Sequence, residues 1–301
     1  MDVIVPRPVT LTASNVAIDE ALWNVGTTYA TGDRVYLDTV SPPAVYQSLT
    51  DNNTGNDPAV STSDWVQVGA INRYKMLDDR VSSQTERTDS ITVTLSASKC
   101  DRICLLNLVG ESLQVTVRSG STVISDELIS LRLDNQSSSW SEYFFDEIEY
   151  RSRVIRPIPG YYANLEVDIT ITAASGTLAK CGHVILGRSR PLGLAEWGAK
   201  AGIADYSRKD TNEFGETYLL QRPYANTLDL DLWIDTDPQG LETDRVHQLL
   251  SSLRATPCIY NGNNAQTDRE SLIVFGFYRD FNVVVSYATV THCSIQIEGM
   301  I

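Results

Sequence analysis

The sequence has no apolar run approaching the roughly 18 residues that a membrane-spanning helix needs, so no such helix is expected. Residues 1–14 hold no basic region followed by an apolar core, so no export leader is expected and the chain reads as soluble. Basic residues are scarce: 24 Lys and Arg stand against 38 Asp and Glu, a formal net charge of −14 over 301 residues. A surface of that sign repels phosphate backbones and anionic headgroups, which argues against a direct nucleic-acid grip and against membrane insertion. Only three histidines occur, His183, His247 and His292, and no G-x-S-x-G elbow, P-loop, dinucleotide fingerprint or H-E-x-x-H helix is found. Without a nucleophile–base pair or a metal set, the expectation is no enzyme, no cofactor and no metal.

Cysteine is sparse as well. Cys100, Cys104, Cys181, Cys258 and Cys293 are odd in number and widely spread. A chain this long folds without staples, so the pattern reads as free thiols made in a reducing cytoplasm and buried as small apolar side chains. The alternative, structural zinc on Cys100 and Cys104, needs a second ligand pair that only Cys181 with His183 or His292 with Cys293 supplies.

What is present is apolar material in short alternating segments. The apolar share is 42%, enough for real cores, and length points to about two domains, with one large or three small ones as alternatives. Residues 91–95, 113–117, 165–171, 228–234 and 294–298 alternate at period two between turns rich in Gly, Pro, Asn, Asp and Ser, the mark of half-buried antiparallel strands. The fold class is therefore mainly β, in several β-sandwiches. One stretch departs from this: Val246, Leu249, Leu250 and Leu253 fall on one helical stripe. With Asp237 as cap, Pro238 in the first turn and Pro257 beyond, they predict an amphipathic helix near 238–254 in the C-terminal sandwich. A weaker helix is expected near 194–204. Composition divides the chain into residues 14–70, 71–188 and 189–301, and residues 1–13 carry a short apolar strand that can pair with the C-terminal domain.

Two acidic clusters need weighing. Glu147 and Glu149 share one strand face, with Asp146 on the other, as a paired-carboxylate hydrolase site requires; Arg151, Arg153 and Arg156 follow at once, as in a salt-bridged strand surface. Asp229 and Asp231 point to one side of a strand whose Leu228, Leu230 and Leu232 fill the other. The spacing of a calcium loop is absent, so Asp229 and Asp231 read as a solvated or assembly face.

Three resemblances follow. The run Trp23-Asn-Val-Gly-Thr-Thr-Tyr29, then Gly32-Asp33-Arg-Val35-Tyr36, Val45-Tyr46, Asn52-Asn-Thr-Gly55-Asn-Asp-Pro58 and Trp65 resembles the chitin-binding type 3 carbohydrate modules. That resemblance implies a small twisted sheet and a glycan partner. Trp23, Tyr29, Trp65 and Tyr36 are the candidate rings, although Trp23, Tyr29 and Trp65 also match the module's frame. In the family, aromatic residues shortly after the position of Tyr46 stack on sugar; here Ser48-Leu49-Thr50-Asp51 stands there, without a ring. The strand series 89–117 resembles the galactose-binding-like jelly rolls. The order of strand, helix, strands and a final Ile297-Glu298-Gly299 is similar to the tail-tube fold of phages, in which strands from several copies join into a ring. Together these resemble a bacteriophage tail-tip or baseplate protein of the distal-tail kind. They imply a virion component made in the host cytoplasm, whose partners are itself in a ring, other phage tail proteins and host surface glycan.

Overall fold

The computed structural model describes residues 1–133, 149–235, 241–263, 269–284 and 290–300. It is mainly β, with several sheets and, among the described residues, one α-helix. The opening strands are β1 (Asp2–Pro6) and β2 (Thr10–Ser14). A small module follows with β3 (Ala21–Leu22), β4 (Thr28–Tyr29), β5 (Arg34–Leu37), β6 (Ala44–Ser48), β7 (Asn53–Thr54) and β8 (Trp65–Ala70). After a 3-10 turn at Asn72–Leu77 come β9 (Thr85–Thr88), β10 (Ser90–Ala97), β11 (Arg102–Val109), β12 (Ser112–Ser119) and β13 (Thr122–Ser130). Beyond these lie β14 (Arg153–Pro157), β15 (Leu165–Thr172) and β16 (Leu178–Pro191). The last part holds β17 (Leu194–Ala195), β18 (Lys200–Asp205), β19 (Arg208–Thr211), β20 (Thr217–Leu220), β21 (Tyr224–Asp235), α1 (Leu241–Ser252), β22 (Cys258–Asn261), β23 (Ile273–Val284) and β24 (Val290–Gly299).

Two compact units result. One gathers Val9–Ser98 and Ile103–Ile185; the other gathers Met1–Pro8, Lys99–Arg102 and Leu186–Ile301.

In the first unit, a five-stranded antiparallel sheet runs β13-β12-β15-β10-β2. Its period-two sequence places Ile91, Val93 and Leu95, Leu113, Val115 and Val117, and Leu165, Val167, Ile169 and Ile171 on a buried face. Thr92, Gln114 and Glu166 take the exposed one. Each fully buried aliphatic side chain contributes about 1.5–3 kcal/mol, so this face alone can support the unit. β11 carries four consecutive buried residues, Ile103 to Leu106, as a strand covered on both faces must. The small module forms a sheet ordered β3-β5-β6-β8 beside the β4–β7 pair, around Tyr29, Val35, Leu37, Ala44, Tyr46 and Trp65.

In the second unit, β1 lies antiparallel between β22 (Val3 opposite Tyr260) and the end of β16 (Ile4 opposite Ser189). The sheet continues through β23, β24 and β21. Leu228, Leu230, Leu232 and Ile234 face Val246 and Leu250 of α1 together with Leu253, Ile295 and Ile297. Leu249 of the expected stripe packs against the same cluster. The Tyr278 hydroxyl donates to the Leu250 carbonyl at 2.8 Å, pairing one of the acceptors that a helix end leaves open. The proposed cap at Asp237 and Pro238 lies outside the described residues.

The expected helix near 194–204 is corrected. Leu194 and Ala195 pair with Trp233 and Leu232, and Lys200–Asp205 pair with Asp229–Tyr224, so the segment is edge strand. Gly193 and Gly198, at φ of +144° and +120°, interrupt any helical run there, and the long apolar strand β21 offers an edge on which the segment pairs its backbone.

Candidate assembly surface

Between β18 and β21 the chain leaves the sheet as an arm that the alternation of the sequence did not reveal. β19 and β20 pair as a hairpin, Arg208 opposite Leu220 and Thr211 opposite Thr217, and β18 returns on the first half of β21. Every residue from 206 to 223 is exposed except Asn212. The turn is built by that asparagine. Its side-chain oxygen accepts the Phe214 and Glu216 N–H groups at 3.0 and 2.9 Å, and its amide donates to the Glu216 carboxylate at 2.8 Å. Gly215, at φ +82°, supplies the left-handed step. The Tyr218 hydroxyl donates to the same carboxylate at 2.9 Å, and these donors hold Glu216 below the usual carboxylate range. The tip is thus fixed, yet its Phe214 ring is 89% exposed.

At the root, Ser207 N–H donates to Asp205 and Arg222 N–H to the Ser207 hydroxyl, at 2.8 and 3.0 Å. The Tyr206 hydroxyl donates to Glu298 at 2.8 Å, which pushes the phenol above its ordinary pKa. Arg208 pairs with Asp210 at 2.8 Å. Along the arm, Tyr218, Leu219 and Leu220 are exposed, and Trp197, just before β18, is 94% exposed. Apolar groups held in water contribute nothing to folding through burial, so their placement has to be explained by contact with something else.

The second feature is the outer face of the β21–β24–β23 sheet. Alternation turns Asp229, Asp231 and Trp233 outward while the leucines between them are buried, and both aspartates are exposed. Register brings Asp229 beside Gln296 and Asp231 beside Ser294, with Asp280 and Asn282 in the next strand opposite the same two residues. At the far end, the Trp233 and His292 rings meet with centroids 4.4 Å apart, and His292 Nδ1 lies 3.3 Å from a Glu196 oxygen.

The remaining sequence candidates are placed elsewhere. Tyr29 and Trp65 are buried and meet edge to face at 5.2 Å. The Trp65 indole donates to the Asn56 carbonyl at 3.0 Å, and the Tyr29 hydroxyl accepts from Asn24 N–H at 2.8 Å. These two rings therefore pack in the module core and offer no open face to a sugar. Trp23 is half-buried against that core, and Tyr36 is half-buried on β5. Asp146 and Glu147 lie outside the described residues, while Glu149 is exposed.

Two small cavities of about 220 and 160 Å³ flank Gly69 and Ala70 in the first unit, and both are lined by Asp78 and Arg80. Burial pushes the Asp78 carboxyl up, although the Ser83 hydroxyl lies 2.7 and 2.8 Å from its two oxygens. All five cysteines are buried thiols, none of them in a disulfide. Among the described residues no group of three or more His, Cys, Asp or Glu is placed to hold a metal ion, and no helix is long and apolar enough to cross a membrane.

The arm went unseen in the sequence because adjacent apolar residues at Leu219 and Leu220 break the alternation that marks a strand. The one available signal was the dense exposed-type pairing of charge with aromatics between 205 and 224. Compared with protein-family models, curated proteins and solved structures, the chain matches none of them.

Proposed function

We propose that the chain is a structural protein of a phage tail tip or baseplate, which joins copies of itself into a ring through the exposed arm and its neighbouring sheet face. The observation that carries this reading is the arm itself: a hairpin with an ordered tip that buries none of Phe214, Tyr218, Leu219 or Leu220 within its own chain. A two-stranded hairpin alone in water is marginal, so an arm of this composition is built to be completed by a partner. The net charge of −14 and the buried thiols agree with a particle component assembled in a cytoplasm and carried outside later. Host glycan recognition by residues 14–70 is the weaker reading, because Tyr29 and Trp65 pack inside.

The test has two parts. Light scattering on the purified chain, with images of the same fraction, is expected to give a closed assembly of several copies. Virions whose genome lacks this chain are expected to lose tail-tip assembly or attachment. Fully infective particles with normal tails from such a deletion would overturn the reading.

A further inference from the structure

We infer that the two cavities beside Gly69 and Ala70 form a binding site for a small zwitterion of the α-amino acid kind. Its carboxylate meets Arg80 and Lys75, and its ammonium meets Asp19 and Glu20. The site lies in the unit of Val9–Ser98 and Ile103–Ile185, in the other unit from the arm, and does not depend on the ring reading.

The chain builds the site where the small module ends. Gly69 and Ala70, the last residues of β8, lead into the 3-10 turn at Asn72–Leu77. The turn is tied down on both sides. The Asn72 amide donates to the Glu86 carbonyl at 2.9 Å, and its side-chain oxygen accepts the Glu86 N–H at 3.0 Å. The Thr85 hydroxyl donates to the Asn72 carbonyl at 2.7 Å and accepts the Met76 N–H at 2.9 Å. Arg73 Nε donates to the Val16 carbonyl at 2.9 Å. The loop that follows carries Asp78, Arg80 and Ser83, and the Asp78 carboxylate is held by the Ser83 hydroxyl and the Arg80 N–H. The walls are therefore set by the chain itself, and clefts where one module meets the next are where small-molecule sites recur.

Charge and space decide the ligand. The cavity of about 160 Å³ is lined by Arg34, Lys75 and Arg80 and by Asp19, Glu20 and Asp78. The cavity of about 220 Å³ shares Gly69, Ala70, Asp78 and Arg80 with it. Asp78 is already served by its donors. None of the other five charged groups has an ion pair among the described residues. Opposite charges that line one cavity without closing on each other leave both signs unmet, and a ligand carrying both answers them together. A plain anion would face Asp19 and Glu20, and a plain cation would face three basic groups. The Arg80 guanidinium suits a carboxylate through two parallel N–H groups, and the Lys75 ammonium adds a point charge. A Cβ at Gly69 would meet nothing within 4 Å, so the shared wall is open there, and Val45, Val68 and Ala70 give an apolar side. Both volumes fall below the roughly 300 Å³ at which pockets for drug-sized ligands begin, which fits a ligand of amino-acid size.

The experiment titrates the full, isotope-labelled chain with L-alanine, L-lysine, L-glutamate and L-phenylalanine and follows its amide signals by NMR. At least one of the four is expected to shift the amides of Gly69, Ala70 and Arg80 with millimolar or tighter affinity. Acetylating its amine removes the cation and amidating its carboxylate removes the anion; each is expected to weaken binding at least about tenfold. Arg80→Gln with Lys75→Gln is expected to weaken it as much, and so is Gly69→Val, which fills the shared wall and leaves the charges alone. Arg80 is exposed and the space at Gly69 is open, so the fold is expected to persist, which circular dichroism checks. Four amino acids that leave these amides unmoved overturn the site. A response that survives both the double variant and Gly69→Val places binding elsewhere and overturns it as well. Equal binding of the acetylated or the amidated form gives the cavity a ligand of one charge and overturns the zwitterion.

Discussion

His183 is buried in β16, and loss of water there favours the neutral imidazole, pushing its pKa down to about 4 from an ordinary 6.5. A folded-state value below the unfolded one means that the unfolded chain takes up the proton first. Stability is therefore full above about pH 6.5 and falls as the pH is lowered towards 4, by about 3 kcal/mol in all from this group. Thermal melts of His183→Gln and wild type are expected to differ most at pH 7, with the gap closing by pH 4.5. A gap that stays constant with pH contradicts the assignment. The thiols make a second case. Burial pushes Cys100 and Cys293 up to about 11 and Cys181 and Cys258 up to about 12, so almost no thiolate exists at neutral pH. A chromogenic disulfide reagent is expected to titrate none of these four in the native chain and all of them in denaturant.

At the scale of elements, α1 and the arm make opposite demands. Leu250 is fully buried against β21 and β24, so Leu250→Ala is expected to cost about 2–5 kcal/mol, read as a lower denaturation midpoint. Replacing residues 207–222 with a short Gly-rich turn is expected to leave that midpoint nearly unchanged while abolishing self-association. Trypsin offers a cheaper view of the same arm: Arg208 and Lys209 are exposed, and the first cuts are expected after them, while Arg222 is shielded by the following Pro223. The contrast also explains what the sequence disclosed. β10, β12, β15, β21 and β24 were legible because each has a core on one side only, and that one-sidedness writes period two into the residues. The stripe of α1 was legible for the same reason at period 3.6. The arm has no core on either side, so nothing imposed a period on Tyr218, Leu219 and Leu220. The edge strand β18 reads as helix in the sequence because short Ala- and Gly-containing segments take their conformation from the neighbour they pair with. Alternation alone places Asp229 and Asp231 on an exposed face, whereas Asp280 reaches that face only through a register shift between Tyr278 and Asp280.

For the molecule as a whole, the division into two units decides which changes travel. The exposed hairpin and the β21–β24–β23 face both belong to the unit that gathers Met1–Pro8, Lys99–Arg102 and Leu186–Ile301. The position of β1 has a further consequence, in time rather than space. Val3 pairs with Tyr260, so the opening strand leaves the ribosome long before its partner in β22 exists. The unit formed by Val9–Ser98 and Ile103–Ile185 has all its strands in hand by then and can finish folding while synthesis continues. Residues 2–6 find their first partner only at Gly187–Pro191 of β16, and their second edge stays open until β22 arrives, a long-range closure that slows the second unit. In pulsed hydrogen exchange during refolding, the amides of Val3 and Ile4 should gain protection after those of Leu113 and Val115, and the interval between them is the period in which a chaperone has something to hold.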